Sequence, residues 1–559
     1  MDYKKLIAEL IDIEGINSDG LEGAIQIPKE SGMGDYTLPC FRFAKVLRKP
    51  PQQIAEELAE SIDKPEFLEK IEGVGGYLNF YLDNNYFLKR TVERIIEEGK
   101  EYGCSDIGNG KTICIDYSSI NIAKPFHIGH LSTTVIGAAL YRIYKSLGYN
   151  VVGINHLGDW GTQFGKLIVA YKEWGDKVRI QKDGIRELLR LYVKFHDQAE
   201  IDSSLDERGR EWFKKIEDGD REAYQIFDYF KEITLKEVDR VYKRLNITFD
   251  SYNGESFYND KMEPVIRELE EKKLLKTSDG AKVVELEGMP PCLLMKADGA
   301  TLYATRDIAA AFYRKNTYNF DKCLYVVAYQ QNLHFKQVFE VIRLMGYPWH
   351  QDLVHIAFGM VSLEDGTLST RRGKVVFLEE VLDKAVEKCY QIIEEKNPDL
   401  ENKKNISEQV GIGAVVFSTL QNNRIKDIVF SYDKVLNFDG ETGPYVQYTH
   451  ARCSSVLEKA EIGVITDWRG IDNPEAAELI RYLSRYPEVV LSAAEKYEPS
   501  YITRHIVDIA QLYNKFYYER RILDAEEGMK NARLKLTLAV RTVIANGLSL
   551  LGIQAPDKM

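Results

Sequence analysis

Residues 118–134 read SSINIAKPFHIGHLSTT, and the segments on either side of them decide the fold. Upstream, KTICIDYSS (111–119) is a short apolar run of the kind that fills a strand buried on both faces. Downstream, LSTTVIGAALYRIYKSLG (131–148) has helical periodicity and stops at Gly148, a residue suited to ending a helix. A second strand candidate, YNVVGINHLGD, follows at 149–159. Strand, helix and strand in this order predict a right-handed parallel crossover, the unit of a doubly wound α/β domain.

The quoted stretch therefore lies at a strand-to-helix corner. Unused N–H groups and the positive end of the helix dipole favour an anion there. His127 and His130 add side-chain donors that can follow charge as it builds on a phosphate, and Gly129 lets a flat base approach the backbone. Lys124, three residues before His127, contributes a fixed positive charge. A lone histidine at such a corner is more often a helix cap or a satisfied core group. The HxGH pair with its lysine instead predicts a nucleoside triphosphate site. GNGKT (108–112) imitates a phosphate-binding loop, but Ser105 stands where that motif needs its first glycine, and the segment precedes its strand. It reads as a linker.

Working outward, 559 residues exceed a single hydrophobic core and predict about three domains. Residues 1–107 mix helix-like and strand-like patches, as in QQIAEELAESI and GGYLNFYL, and predict a small α+β domain. Residues 108–385 form the doubly wound domain, interrupted by a charged helical insertion at about 180–245. From 386 to 559 the strand signal nearly disappears and amphipathic helices take over. The net charge of −12 weighs mildly against a polyanionic partner, although local basic patches decide such binding, not the sum. Seven scattered cysteines without a CxxC pair fit a reducing compartment and predict no zinc or other structural metal. No apolar run approaches the roughly 20 residues that span a bilayer, and the start MDYKKLIAELIDIEGINSDG is neither a signal nor a transit peptide. A cytoplasmic location without membrane attachment is the expectation.

SSINIAKPFHIGHLSTT resembles the signature of the arginyl-tRNA synthetases, members of class I of the aminoacyl-tRNA synthetases. The similarity runs almost the full length, through GGYLNFYL (75–82), NHLGDWGTQFG (155–165), YATRDIAAA (303–311), LSTRRGKVVFLEEVL (368–382), DGETGPYVQYTHAR (439–452) and NGLSLLGIQAP (546–556). It implies a Rossmann-type parallel-sheet catalytic domain, an N-terminal α+β domain that contacts the tRNA D-loop and core, and a C-terminal all-α anticodon-binding domain. It also implies the reaction. Arginine's carboxylate attacks the α-phosphate of ATP, pyrophosphate leaves, and the acyl group passes to the 3′-terminal adenosine of arginine tRNA, with activation requiring tRNA. Mg²⁺ accompanies the ATP phosphates, and the enzyme works as a monomer.

Residue by residue, the resemblance gives Lys124, His127 and His130 catalytic roles, with Ile128 and Gly129 completing the ATP corner. LSTRRGK (368–374) corresponds to the family's mobile basic loop but lacks the usual second lysine, a departure that Lys124 is thought to compensate. Ser369 and Arg371 are its catalytic candidates, and Arg372 and Lys374 its further ATP contacts. Gly359, Met360 and Val361 in HIAFGMV resemble the segment that holds adenine. Tyr303 and Asp307 lie four apart and share a helix face; the resemblance places both at the guanidinium, with Glu255 as a second acid, and Asn121 and Gln331 at the amino-acid end. A guanidinium pairs best with carboxylates in a bidentate fork. A site burying such acids rejects uncharged isosteres because the acids would be left unpaired.

For RNA, LYNKFYYERR (512–521) interleaves Tyr513, Phe516, Tyr517 and Tyr518 with Lys515, Arg520 and Arg521, a composition suited to stacking on splayed bases. About half of those aromatics are expected in the core. Tyr77 and Asn79 alternate on a strand and so share a face; they resemble the pair that reads the D-loop. Three rival readings fare worse. A cysteinyl synthetase is disfavoured by the missing zinc cluster, a non-catalytic RNA-binding paralogue by the intact HIGH corner, and a small nucleotidyltransferase by the helical C-terminal domain.

Overall fold

The structure, a computed structural model, describes residues 3–13, 16–28, 33–297, 301–363, 376–465 and 467–559. The chain folds into two compact units, and neither is one continuous segment.

The first unit combines residues 1–102 with 453–485 and 511–543. Its sheet has three antiparallel strands, β1 (Tyr36–Pro39), β2 (Leu68–Val74) and β3 (Tyr77–Leu82), in the order β1-β3-β2. GGYLNFYL thus supplies the central strand, whose Leu78 and Phe80 are buried among Ile7, Leu21, Leu38, Phe43 and Ile54. The helix Asn84–Glu98 is capped by Asp83, which accepts the Tyr86 N–H at 2.7 Å. It meets the helix Pro474–Ser484, where Arg481 donates to Asn84 (2.9 Å) and the buried Tyr102 hydroxyl donates to the Leu483 carbonyl (3.0 Å). The helical stretch after 386 therefore does not stay within one unit: its segments 453–485 and 511–543 pack with the N-terminal residues.

The second unit, residues 103–452, 486–510 and 544–559, contains the predicted crossover. β4 (Thr112–Asp116), the helix Leu131–Ser146 and β5 (Asn150–Ile154) follow one another as read. Later come β6 (Leu275–Ser278), β7 (Ala281–Val284), β8 (Cys292–Met295), β9 (Lys322–Ala328), β10 (Leu353–Phe358), β11 (Val361–Leu363) and β12 (Ile428–Phe430). The main sheet is fully parallel, in the order β10-β9-β4-β5. The order in which its strands are laid down reverses at β4, with β5 on one side and β9 and β10 on the other, and ligands of open α/β sheets bind beside such a switch point. Every residue from Leu131 to Leu140 is buried, so this helix has no solvent face in its first half. At Gly137 a Cβ would come within 2.2 Å of Tyr117, so only glycine lets the helix lie this close to the end of β4.

The charged insertion forms four helices, Lys177–Asp183, Ile185–Ala199, Ser204–Glu217 and Arg221–Arg244. A second, antiparallel sheet of β6, β7 and β8 escaped sequence reading because LKTS and AKVV are short and carry lysines. β12 also lies beyond residue 400, where only helices were expected; it pairs in parallel with β11. Among the described residues no helix is long and apolar enough to cross a membrane.

Candidate active site

The corner after β4 is built by its histidines in an unexpected way. His127 caps the short 3-10 turn Ile128–His130, its Nδ1 accepting the Gly129 N–H at 3.0 Å. His130 reaches back, and its Nδ1 accepts the His127 N–H at 3.2 Å. The two rings lie 4.1 Å apart, centroid to centroid. Both Nδ1 atoms are therefore acceptors, which puts the ring proton on Nε2 in each. Burial lowers His127 to about 4 and His130 to about 3, the second also depressed by His127 and Lys124. At neutral pH the pair offers two uncharged N–H donors. The fixed positive charge at the corner is Lys124, half-buried, whose pKa burial lowers and nearby Glu255 partly restores.

The capping geometry also commits two backbone donors of the corner. Ile128 is fully buried and its N–H goes to Val376 O at 3.3 Å, while the Gly129 N–H is spent on His127. Phe126 O in turn accepts the Leu378 N–H at 2.9 Å. Ser369, Arg371, Arg372 and Lys374 lie outside the described residues; Val376, two residues beyond Lys374, is stitched directly to the HIGH corner. Gly359 donates its N–H to Arg424 O (2.7 Å) and Met360 donates to Asp427 (2.7 Å). Val361 is buried in β11. The Gly359 and Met360 N–H groups are thus used internally, while the Met360 side chain is 37 % exposed.

Asn121 is exposed beyond β4, and its backbone bridges to Gly158 just after β5. A Cβ at Gly158 would fall 2.3 Å from the Asn121 side chain, which explains the glycine in NHLGD. Gln331 is exposed at the end of β9, in the 3-10 turn before the helix Asn332–Leu344. Tyr303 opens the helix Tyr303–Tyr318 and is 65 % exposed; Asp307 follows one turn later on the same helix.

Asp307 is not waiting empty-handed. Its carboxylate lies 2.6 Å from Nε2 of His334, and although burial pushes its pKa up, that hydrogen bond and the surrounding cations hold it below the usual carboxylate range. Glu255 lies 3.9 Å from the Arg306 guanidinium, the side chains being 16 % and 9 % exposed. Burial raises Glu255 to about 7; Arg306 opposes the rise, and Asp307 and Asp159 add to it. Asp159 positions this acid's neighbour, accepting the Ser256 N–H (2.9 Å), the Ser256 hydroxyl (2.8 Å) and the Lys231 ammonium (2.8 Å). His334, Arg306 and Asp159 were missed in the sequence although Arg306 and Asp159 stand inside stretches already quoted, YATRDIAAA and NHLGDWGTQFG, and His334 lies three residues after Gln331. Beside Tyr303 and Arg306 opens a cleft of about 730 Å³ with Trp160, Phe213, Tyr224 and Lys296 among its walls. Among the described residues no group of three or more His, Cys, Asp or Glu is placed to hold a metal ion.

A carboxyl whose folded pKa is raised stabilises the fold below its unfolded value and loses that contribution as pH rises through the folded one. For Glu255 the window runs from 4.5 to about 7. Glu255→Gln is therefore expected to stabilise the free protein at pH 8 by on the order of 2 kcal/mol, with the gain vanishing near pH 4.5. Urea midpoints at the two pH values check this, and equal gains at both would refute it.

The RNA-facing residues expected from the sequence divide by burial. Tyr77 is half-buried against Phe41, the rings 5.2 Å apart, and Phe41 itself is 51 % exposed. Asn79, 1 % exposed, accepts the Thr37 hydroxyl at 2.7 Å, so it ties β3 to β1 instead of facing solvent. Tyr513 and Phe516 are fully buried, and Tyr513 reaches the Thr537 hydroxyl at 3.4 Å, which corrects Tyr513 to a core residue. Tyr517 and Tyr518 are 40 % and 91 % exposed. Arg520 is paired with Glu475 at 2.7 Å. The helical period decides this split: the face carrying 513 and 516 is apolar on both sides of the strip and turns inward.

Three family sequence models match the chain: the class I (R) tRNA synthetase catalytic domain over residues 91–432, the DALR anticodon binding domain over 446–559 and the arginyl tRNA synthetase N-terminal domain over 2–82. The chain is 54 % identical to an arginine–tRNA ligase of Alkaliphilus metalliredigens and 52 % identical to one of Halothermothrix orenii, each alignment covering 100 % of both chains. Its fold is similar to that of the Thermus thermophilus arginyl-tRNA synthetase, with a TM-score of 0.78, 28 % identity and 96 % of each chain covered.

Proposed function

Because this chain belongs to the arginyl-tRNA synthetases, and so joins arginine to tRNA at the expense of ATP, we propose that the corner after β4 carries the chemistry, with arginine held between it and the helix Tyr303–Tyr318. The observation that carries this reading is the reciprocal capping of His127 and His130, which leaves both Nε2–H groups free of the cap and available as donors.

ATP enters as its Mg²⁺ complex, the ion coming with the phosphates. As arginine's carboxylate attacks the α-phosphate, charge accumulates on the phosphoryl oxygens. Two neutral imidazole donors and Lys124 meet it without prior reorganisation, the kind of preorganised contribution that dominates phosphoryl chemistry. Ser369, Arg371, Arg372 and Lys374 take the departing pyrophosphate. Asp307 gives up His334 for the guanidinium, Glu255 and Tyr303 complete its surroundings, and Asn121 and Gln331 hold the amino and carboxyl end. Bringing a cation beside Glu255 draws its proton off. The 3′-terminal adenosine approaches through the cleft beside Tyr303, whose Trp160, Phe213 and Tyr224 suit a flat base. tRNA is needed before arginine is activated. One copy of the chain carries out the reaction. The cytoplasm is its place, in keeping with seven scattered cysteines that form no CxxC pair.

ATP–pyrophosphate exchange, run with each amino acid with and without tRNA, tests the whole scheme. Exchange is expected with arginine alone and only when tRNA is present; exchange with cysteine and not arginine would overturn it. For the anticodon-side helix, Tyr518→Ala is expected to raise the KM for tRNA about tenfold, the loss of one base stack. The KM for arginine should stay as it was. An unchanged tRNA KM would remove Tyr518 from the interface.

A further inference from the structure

Lys124 and Asn121 are carried by a loop that bends through the left-handed region at three non-glycine residues, Ser118 (φ 68°), Ser119 (φ 44°) and Ala123 (φ 58°). Such backbone persists only where its surroundings impose it. Asp116 supplies one restraint, accepting the Ser119 hydroxyl at 2.6 Å. Thr133 Oγ1 accepts the Ser118 N–H at 3.1 Å, and Gly158 bonds the middle of the loop, accepting the Ile122 N–H (3.1 Å) and donating to Ile120 O (2.8 Å). Both ends are also held by the insertion helix Arg221–Arg244, a segment about a hundred residues away in sequence. Thr234 Oγ1 accepts the Ala123 N–H at 3.0 Å while donating to Phe230 O at 2.7 Å. The Tyr242 hydroxyl lies 2.7 Å from Ser118 Oγ and takes a hydrogen bond from Asn155 Nδ2 at 3.0 Å.

The donors and acceptors of this seam run in one direction. Thr134 must donate to His130 O, which it meets at 2.6 Å, so it accepts from Ser118 at 2.9 Å. Ser118 then accepts from Tyr242, and Tyr242 accepts from Asn155. Asn155, Tyr242, Ser118 and Thr134 are all at most 2 % exposed, and the chain ends on the carbonyl of a HIGH histidine. Buried hydrogen bonds polarised in series reinforce one another. The insertion helix is thus fastened to both ends of the loop, at Ser118 and at Ala123, next to Lys124.

We propose that Thr234 and Tyr242 are positioning residues for arginine activation, holding loop 118–123 in the bend that presents Asn121 and Lys124. This rests on the reading that the corner receives ATP. Were these hydroxyls only satisfied core groups, removing them while keeping the side-chain shape would leave turnover untouched. Thr234→Val and Tyr242→Phe keep nearly the same volume, and Thr234→Ser returns the hydroxyl.

The full-length enzyme and these variants are compared in kcat and KM for ATP–pyrophosphate exchange with tRNA present, and in hydrogen–deuterium exchange of the peptide spanning 118–126 without substrates. Thr234→Val and Tyr242→Phe are each expected to lower kcat 10- to 100-fold and to raise the arginine KM, since Asn121 is released together with Lys124. Deuterium uptake in 118–126 should be at least tenfold faster. Thr234→Ser should match the wild type in both. Wild-type kcat and uptake in Thr234→Val would overturn the inference, as would a Thr234→Ser variant as impaired as Thr234→Val. The uptake measurement involves no nucleotide, so it judges the restraint by itself. Lys124→Ala with unchanged ATP kinetics would instead count against the corner as the ATP site.

Discussion

Asp307→Ala is expected to lower kcat/KM for arginine by about 10²- to 10³-fold, the range for removing one partner of a buried, hydrogen-bonded charge pair. The KM for ATP should change less than twofold, because Asp307 lies on the helix Tyr303–Tyr318, away from the corner after β4 proposed to take the phosphates. The free enzyme shows what the carboxylate is asked to do. It is held below its usual pKa in spite of burial, hydrogen-bonded to His334, and so is already charged before a guanidinium arrives. Arginine has to replace a single bond to a histidine with a planar fork, which a lysine ammonium cannot reproduce. Asp307→Asn, keeping shape without charge, should fall with the alanine variant, and citrulline should be a poor substrate for the wild type. Exchange kinetics titrated separately in arginine and ATP decide the matter. An arginine kcat/KM within threefold of wild type would take Asp307 out of the pocket.

The second large effect is at His127. Its Nδ1 caps the Ile128–His130 turn, and its Nε2–H is the donor proposed to meet substrate. Asparagine places an oxygen where Nδ1 stood and nothing where Nε2 stood. His127→Asn should therefore keep the cap and the fold while losing the donor, lowering kcat about 10²- to 10³-fold as for other oxyanion donors. His127→Gln restores a donor farther out but drops the cap, and should lose stability instead. A kcat for His127→Asn within fivefold of wild type would show that the donor is not used.

The same histidines set a pH response. Their folded pKa values, about 4 and about 3, lie below the ordinary 6.5, so the unfolded chain binds more protons than the folded one in between. Their contribution to stability is fully present above 6.5 and falls as pH drops toward 4, by up to about 1.4 kcal/mol per pH unit for each histidine. Turnover should show no acid limb near 6.5 from either ring.

Much of this site could be read from residue order alone, and the reason is local. HIGH works through a turn of four residues, and Tyr303 and Asp307 share a helix face by their spacing, so neighbours in sequence are neighbours in space. The same logic gave the central strand GGYLNFYL and the crossover through β4 and β5. It failed where burial depends on what a distant segment supplies. Alternation put Asn79 beside Tyr77, but Thr37 from another strand claims its side chain. Composition offered four aromatics at 513–518 without saying that Tyr513 and Phe516 turn inward.

Sequence alone determined the groups on offer: a strand-to-helix corner with two imidazoles and a lysine, an acid one turn from a tyrosine, and a parallel α/β frame to carry them. These follow from periodicity and short spacings, which act within a few residues. Only the tertiary structure decided that the histidines are neutral donors, that Asp307 is held by His334, and that a helix a hundred residues away clamps the loop beneath Lys124. Each of those depends on burial and on hydrogen-bond partners from remote segments, and a buried polar group's charge and orientation are set by whichever partners the fold brings within about 3 Å.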